Sequence, residues 1–289
     1  DFKCLLPETK KPVPLFLFQA QASPWENIAV SRGYAVALAP TGDHDDQTDV
    51  FLEAYPDYDW ALIPRRAWVT SRVLDVMLTM SEIDEDRICI SGHSRNGKQA
   101  LIAAAFDERI TAVISSSSGS PAACPYRFTS EFTYAEGPAY FPEPWFHQRL
   151  RCFVGREDRL PIDAHGLLGL IAPRHCLLST AYFDGCEDTF AVEMAYREAK
   201  KVYQFLGKEE ALRILWRTGG HEHRESLIER YFDWFDTALG REDYTFPEVL
   251  RHHFDWQKWK QQQPVTMLQE PSITSKVQDK LEWLLGQAP

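Results

Sequence analysis

Ser94 occupies a tight turn between a short apolar run and an alanine-rich run, in the stretch Ile88-Cys89-Ile90-Ser91-Gly92-His93-Ser94-Arg95-Asn96-Gly97-Lys98. Small residues around the serine permit a strained strand-to-helix turn that lifts its hydroxyl out over the carboxyl edge of a sheet. The chemistry open to such a group is nucleophilic attack on an acyl carbon. At the start of the helix that follows, the backbone amide of Arg95 would point at the oxyanion which then develops. The second glycine falls at Gly97, one place later than the usual Gly-x-Ser-x-Gly spacing requires.

A serine hydroxyl is a poor nucleophile at neutral pH and needs a base within hydrogen-bond reach. The apolar run Leu212 to Trp216 leads into Arg217-Thr218-Gly219-Gly220-His221-Glu222-His223, so His221 falls in a loop beyond a strand and is the expected base, with His223 as the alternative. The pair also spells His-x-His, a zinc-like spacing, but no HExxH motif or clustered third ligand accompanies it. The base in turn needs a carboxylate to fix its tautomer. Asp184 follows the run His175 to Ser179 by a few residues and is the preferred acid, with Glu187 and Asp188 as rivals. The order Ser94, Asp184, His221 is the nucleophile, acid, base order of an α/β-hydrolase.

Such a triad requires a parallel sheet whose strand ends converge, and the hydrophobic patterning supplies one. Apolar strand patterns recur at 14–18, 34–39, 87–90, 110–114, 175–179 and 212–216. Helical patterns fall between or after them, around Trp25 and over 63–80, 98–106, 190–206 and 224–239. That alternation predicts an α/β class with a mostly parallel, doubly wound sheet flanked by helices. The region 41–58 is acidic and turn-rich, and 115–161 is a long irregular stretch with prolines at 121, 125, 138, 142 and 144. A loop of that length inside a domain reads as a cap or pocket wall. The expected organisation is a catalytic domain over 1–240 and a helical appendage over 241–289, packed on it and carrying Trp256, Trp259 and Trp283.

Composition limits the partners. With 44% hydrophobic and 25% charged residues the chain is ordinary globular protein, and its net charge of −11 argues against a protein that works by neutralising nucleic-acid phosphates. No apolar run is long enough to predict a membrane span, and six scattered cysteines without a Cys-x-x-Cys pair predict core thiols, not a disulfide scaffold or a zinc cluster. Nothing calls for an organic cofactor or a metal, so the expected partner is a small-molecule or carbohydrate ester. The chain opens Asp1-Phe2-Lys3-Cys4 without an initiating Met, which reads as a trimmed chain whose export signal, if it has one, lies outside this sequence.

Over most of 60–239 the sequence resembles the glucuronoyl esterase family, carbohydrate esterase family 15, and its bacterial relatives. The resemblance is carried by Gly92-His93-Ser94-Arg95-Asn96-Gly97-Lys98, Phe106-Asp107-Glu108-Arg109-Ile110, Leu160-Pro161-Ile162-Asp163 and Leu170-Ile171-Ala172-Pro173-Arg174. It accounts for the late glycine, because that family's elbow also reads Ser-Arg-x-Gly-Lys. It implies a serine carboxylic ester hydrolase acting through an acyl-enzyme on a carbohydrate-linked ester. It also implies that Arg95 stabilises the oxyanion with backbone and side chain, that Lys98 reaches toward substrate hydroxyls, and that Trp145 belongs to a family segment, where it serves the substrate or the packing. Peptidases, lipases and catalytically silent binding proteins share the fold and are the alternative readings. Two positions depart from the family: Ser117 falls where many members carry a catalytic Glu, and Cys186 replaces a tryptophan that the family places near the sugar. The first departure moves the acid to the loop holding Asp184.

Overall fold

The computed structural model describes residues 1–19, 24–42, 45–128, 145–246 and 248–251. Nine strands and seven α-helices are present among them. The strands are β1 (Lys3–Leu5), β2 (Val13–Gln19), β3 (Ala35–Ala39), β4 (Thr41–Gly42), β5 (Asp45–Asp46), β6 (Ile83–His93), β7 (Ala112–Ser116), β8 (His175–Ala181) and β9 (Leu212–Arg217). The helices are α1 (Pro24–Ser31), α2 (Val50–Ala54), α3 (Leu62–Met77), α4 (Arg95–Phe106), α5 (Ala164–Ile171), α6 (Thr189–Phe205) and α7 (Glu225–Ala238).

Seven strands form one sheet in the order β1-β3-β2-β6-β7-β8-β9, parallel throughout except for β1 at the edge. The chain runs outward from β2 to β3, returns across β2 to β6, and then proceeds one strand at a time to β9. That reversal between β2 and β6 is a topological switch point, where parallel sheets open a crevice at their carboxyl ends.

Side chains alternate strictly across the sheet, as a two-residue period demands. Leu15, Leu17, Ile88, Ile90, Val113, Cys176 and Leu178 face one layer, which they share with α3, α4, α5 and α6. Phe16, Cys89, Ala112, Ile114 and Leu177 face the other, packed by α1 and α7. Burial on both faces explains why these strands read as continuous apolar runs in the sequence.

The acidic stretch 41–58 is tied down by charge. Arg65 and Arg66 of α3 are buried, and they pair with Asp49 and Asp46. Five elements were not foreseen, among them the two-residue strands β4 and β5. β1 has three residues and α2 five, too short for a periodic signal, while α5 carries Gly166 and Gly169 in its interior. Its N-terminus is fixed by Asp163, whose carboxylate accepts the Ala164 N–H at 2.9 Å. The same carboxylate accepts the N–H groups of Tyr126 and Arg127 across the long irregular stretch. Residues of that stretch, among them Tyr126, Leu150, Phe153 and Leu160, line a cavity of about 1060 Å³ against Trp68 of α3 and Phe106 at the far end of α4 from Ser94. The cavity therefore belongs to the helical layer and not to the serine turn.

The chain divides into two units, 1–250 and 251–289, so the first runs past the expected break after Gly240. Residues 241–250 join it through Arg241 on Asp236 and the Trp216 indole N–H on the Val249 carbonyl. Trp256, Trp259 and Trp283 lie outside the described residues. No described helix is long and apolar enough to cross a membrane.

Candidate active site

Ser94 lies between the last residue of β6 and the first of α4, with φ 57° and ψ −126°. A non-glycine residue at such a positive φ costs about 1–3 kcal/mol and persists only where its surroundings over-determine it. Here they do. The Ser94 N–H donates to the Ser116 carbonyl on β7 at 2.8 Å, and the Ser94 carbonyl accepts the Lys98 N–H at 3.1 Å. A Cβ on Gly92 would fall 2.1 Å from the Asn96 carbonyl oxygen, and one on Gly97 would meet the Ser116 and Gly92 carbonyls at 3.0 and 3.1 Å. Both glycines are therefore required by close backbone approach. Although Ser94 is the N-cap residue of α4, its hydroxyl makes no capping hydrogen bond, so it is not consumed by its own helix.

The acid and base loops meet across the ends of β8 and β9. Tyr182 N–H donates to the Arg217 carbonyl at 3.2 Å and Phe183 N–H to the Gly219 carbonyl at 3.1 Å, which brings Asp184 against His221. His221 Nδ1 lies 2.9 Å from Asp184 Oδ1 and 3.0 Å from Oδ2. The carboxylate is buried, and burial alone would raise its pKa. Hydrogen bonds from His221, from Ser117 and from the Cys186 N–H at 2.9 Å overcome that and bring it down to about 2. Asp184 is thus an anion held to one edge of the imidazole. The rivals are engaged elsewhere: Asp188 caps α6 by accepting the Ala191 N–H, and buried Glu187 accepts the Gly119 N–H at 3.0 Å.

His223 is placed on a different structure. Its Nε2 lies 3.1 Å from Ser116 Oγ, which lies 3.1 Å from His93 Nδ1 and accepts the Tyr231 hydroxyl at 3.0 Å. The His93 ring lies tilted against both loop histidines, its centroid 3.9 Å from that of His223 and 4.6 Å from that of His221, and since His93 precedes Ser94 in the chain, His221 stands beside the serine turn. Burial, reinforced by neighbouring cationic and imidazole groups, lowers His93 to about 4 and His223 to about 2. Both are neutral hydrogen-bonding partners. Ser116 thereby joins the two halves of the site: its carbonyl holds Ser94, and its hydroxyl holds the loop that carries His221.

Arg217 was not anticipated. Buried at the end of β9, it donates to the Gly220 carbonyl at 2.7 Å, to the Glu222 carbonyl at 3.1 Å and to Ser117 Oγ, and it lies 3.6 Å from Asp184. The signal for it was an arginine closing an otherwise apolar strand immediately before the histidine loop. Ser117 itself is held at φ 47° and faces this guanidinium and the Asp184 carboxylate. Its side chain therefore stands in the hydrogen-bond shell of the Asp184 carboxylate.

The expected substrate-side residues surround the turn. Arg95 opens α4, and its guanidinium lies over the Trp145 ring at 4.8 Å, while Trp145 packs on the larger core layer. Lys98 is buried, with its ammonium donating to the Ser118 and Ser120 carbonyls, and burial lowers its pKa to about 8. Cys186, by contrast, is exposed beside the acid.

The family model described as "Glucuronyl esterase, fungi" matches residues 3–207. Carbohydrate esterase MZ0003, from an unknown prokaryotic organism, is 34% identical over 191 residues, which is 62% of this chain and 44% of that protein. The 4-O-methyl-glucuronoyl methylesterase of Hypocrea jecorina (strain QM6a) is 34% identical over 117 residues, 37% of this chain and 25% of that one. Among solved structures, a carbohydrate esterase family 15 glucuronoyl esterase from Caldicellulosiruptor kristjansonii matches with a TM-score of 0.78 at 27% identity, over 88% of this chain and 76% of that chain. The chain thus spans less than half the length of these two curated relatives. The architecture is the α/β-hydrolase fold that the order of the three residues predicted.

Proposed function

Because this chain belongs to the glucuronyl esterase family, we propose that it is a serine carboxylic ester hydrolase that cleaves a carbohydrate-linked ester, with Ser94 as nucleophile, His221 as base and Asp184 as acid. The observation that carries this reading is the Asp184–His221 pair at 2.9 Å beside a serine held at φ 57°. Asp184 fixes the imidazole with its proton on Nδ1, which leaves Nε2 to take the Ser94 proton as Oγ attacks the acyl carbon. The imidazolium then passes that proton to the leaving alcohol, and water, activated by the same nitrogen, releases the acid from the acyl-enzyme.

Two groups supply the oxyanion's surroundings. One is the Arg95 N–H at the positive end of α4, and the other is the Arg95 guanidinium steadied on Trp145. Lys98 has three N–H donors, and two are directed to backbone carbonyls, so the third is the one for a substrate hydroxyl. The relatives' names point to the acyl part, a 4-O-methyl-glucuronate ester.

The test is a panel of methyl glucuronate, acetylated sugar and feruloyl esters, run with Ser94→Ala and His221→Ala. The methyl glucuronate ester is the expected substrate, and each variant should lose on the order of 10⁴-fold or more in kcat. A fluorophosphonate probe should label the parent and not Ser94→Ala. Undiminished hydrolysis by Ser94→Ala would remove the mechanism, and exclusive cleavage of the acetylated sugar would remove the substrate.

A further inference from the structure

One ionisable side chain beside the proposed triad, the exposed thiol of Cys186, has no part in hydrolysis. Among the described residues, Asp184, Cys186 and His221 are the one His, Cys, Asp or Glu group close enough to share an ion, with one ligand atom from each lying within 4.8 Å of the others. The three donors differ in kind: a buried carboxylate, a partly exposed imidazole and an exposed thiol. A carboxylate, an imidazole and a thiolate together are the ligand set of a borderline-soft divalent cation such as zinc, not of calcium or magnesium.

Resting on the triad reading above, we propose that Asp184, Cys186 and His221 form an inhibitory site for zinc or a zinc-like divalent ion. Tetrahedral zinc, with bonds of about 2.0–2.3 Å, needs ligand atoms roughly 3.3–3.8 Å apart, so the Asp184–His221 Nδ1 contact of 2.9–3.0 Å must open slightly, while the sulfur, within 4.8 Å, must draw in by about 1 Å. Cys186 is the ligand that can move. It is exposed, it follows Gly185, and a Cβ built on Gly185 would meet nothing within 4 Å. His223 takes no part, because its Nε2 is directed to Ser116. The His-x-His spacing in the sequence is therefore not the metal signal; the signal is Asp-x-Cys with a histidine from the next loop.

Binding has a definite chemical consequence. The thiol gives its proton to solvent as the sulfur–metal bond forms. If the ion takes His221 through Nδ1, the ring proton moves to Nε2; if it takes Nε2, that lone pair is consumed. Either way His221 cannot accept the Ser94 proton.

The experiment uses the full chain, treated with chelator and then titrated with free zinc, with cobalt as a spectroscopic substitute. Initial ester hydrolysis should fall on zinc addition and recover with EDTA, more steeply as pH rises because a proton is released. The ratio of inhibited to uninhibited rate is compared for parent, Cys186→Ala and Cys152→Ala, the last removing the other exposed thiol. Cys186→Ala should raise the half-inhibiting zinc concentration at least about tenfold, and Cys152→Ala should leave it unchanged. The cobalt-loaded parent should show thiolate-to-cobalt charge-transfer absorbance that Cys186→Ala lacks. Equal zinc sensitivity of parent and Cys186→Ala, or a cobalt spectrum without a thiolate band, would overturn the site. The cobalt spectrum needs no substrate, so it decides the point even if the ester chosen is not cleaved.

Discussion

The turn that carries Ser94 and the loops that carry Asp184 and His221 are held by different physics. At the turn the constraint is steric and local, since Gly92 and Gly97 let backbone approach backbone within six residues and the strand-to-helix geometry follows. At the loops the constraint is polar and long-range, with Arg217, Ser117 and Ser116 reaching from separate strands to fix segments that have no regular structure of their own. The first arrangement tolerates almost no change of size. The second tolerates change of size but not of hydrogen-bonding capacity.

Gly92→Ala should therefore give the largest effect of any substitution outside the triad. Its Cβ would lie 2.1 Å from the Asn96 carbonyl oxygen and 2.3 Å from the carbonyl carbon, both within the first turn of α4, where nothing flexible can yield. The turn must shift, and a displacement of about 1 Å at a reacting group costs on the order of 10²-fold in rate. Gly97→Ala, whose contacts lie at 3.0–3.1 Å, should cost less in both activity and stability. Ester kinetics with urea unfolding of both variants checks the order. Equal losses would mean that the turn is not governed by local sterics.

Arg217→Met should come next, with the opposite signature. Methionine fills similar space but leaves the Gly220 and Glu222 carbonyls and Ser117 Oγ without their donor and removes the cation 3.6 Å from Asp184. Hydrogen bonds to a charged group are worth about 1.5–3 kcal/mol, which corresponds to a fall in kcat of roughly 10- to 150-fold with little change in KM. Arg217→Lys should recover part of it. A pure KM effect would show that Arg217 serves the substrate and not the histidine loop.

The same contrast decides what was legible in the sequence. The turn was readable because its constraint lies within Gly92 to Gly97, next to apolar runs whose period is unmistakable. The strands and longer helices were readable for the same reason, with ends displaced by a few residues, as at α3, which closes at Met77. Asp184 could be favoured but not separated from Glu187 and Asp188, because the three differ only in partners supplied by Gly119, Ala191 and His221. The Ser116 bridge was invisible, since Ser116 is one of four consecutive serines and no local pattern distinguishes the one that touches two histidines, while Arg217 showed only as an arginine at a strand's end, with its partners supplied by the folded loop. Residues 129–144 of the expected cap lie outside the described residues.

The smallest effect separates the two imidazoles of the histidine loop. His93 and His223 are lowered to about 4 and about 2, whereas an unfolded histidine titrates near 6.5. Below that pH the unfolded chain binds protons that the native chain refuses, so stability is greatest above about pH 6.5 and falls as pH drops toward 4. Asp184, lowered to about 2, adds its loss only below about pH 4, where it overlaps the lower part of the His223 window, so the range above pH 4 reports the histidines alone. With two such histidines the slope between pH 6 and 5 should be on the order of 2–3 kcal/mol per pH unit. His223→Gln keeps an N–H for Ser116 and removes one titrating group, which should roughly halve the slope while changing kcat by less than about fivefold. Urea unfolding at half-unit pH steps measures it directly. An unchanged slope would mean that His223 takes up its proton in the folded state, and the neutral bridge through Ser116 would then be wrong.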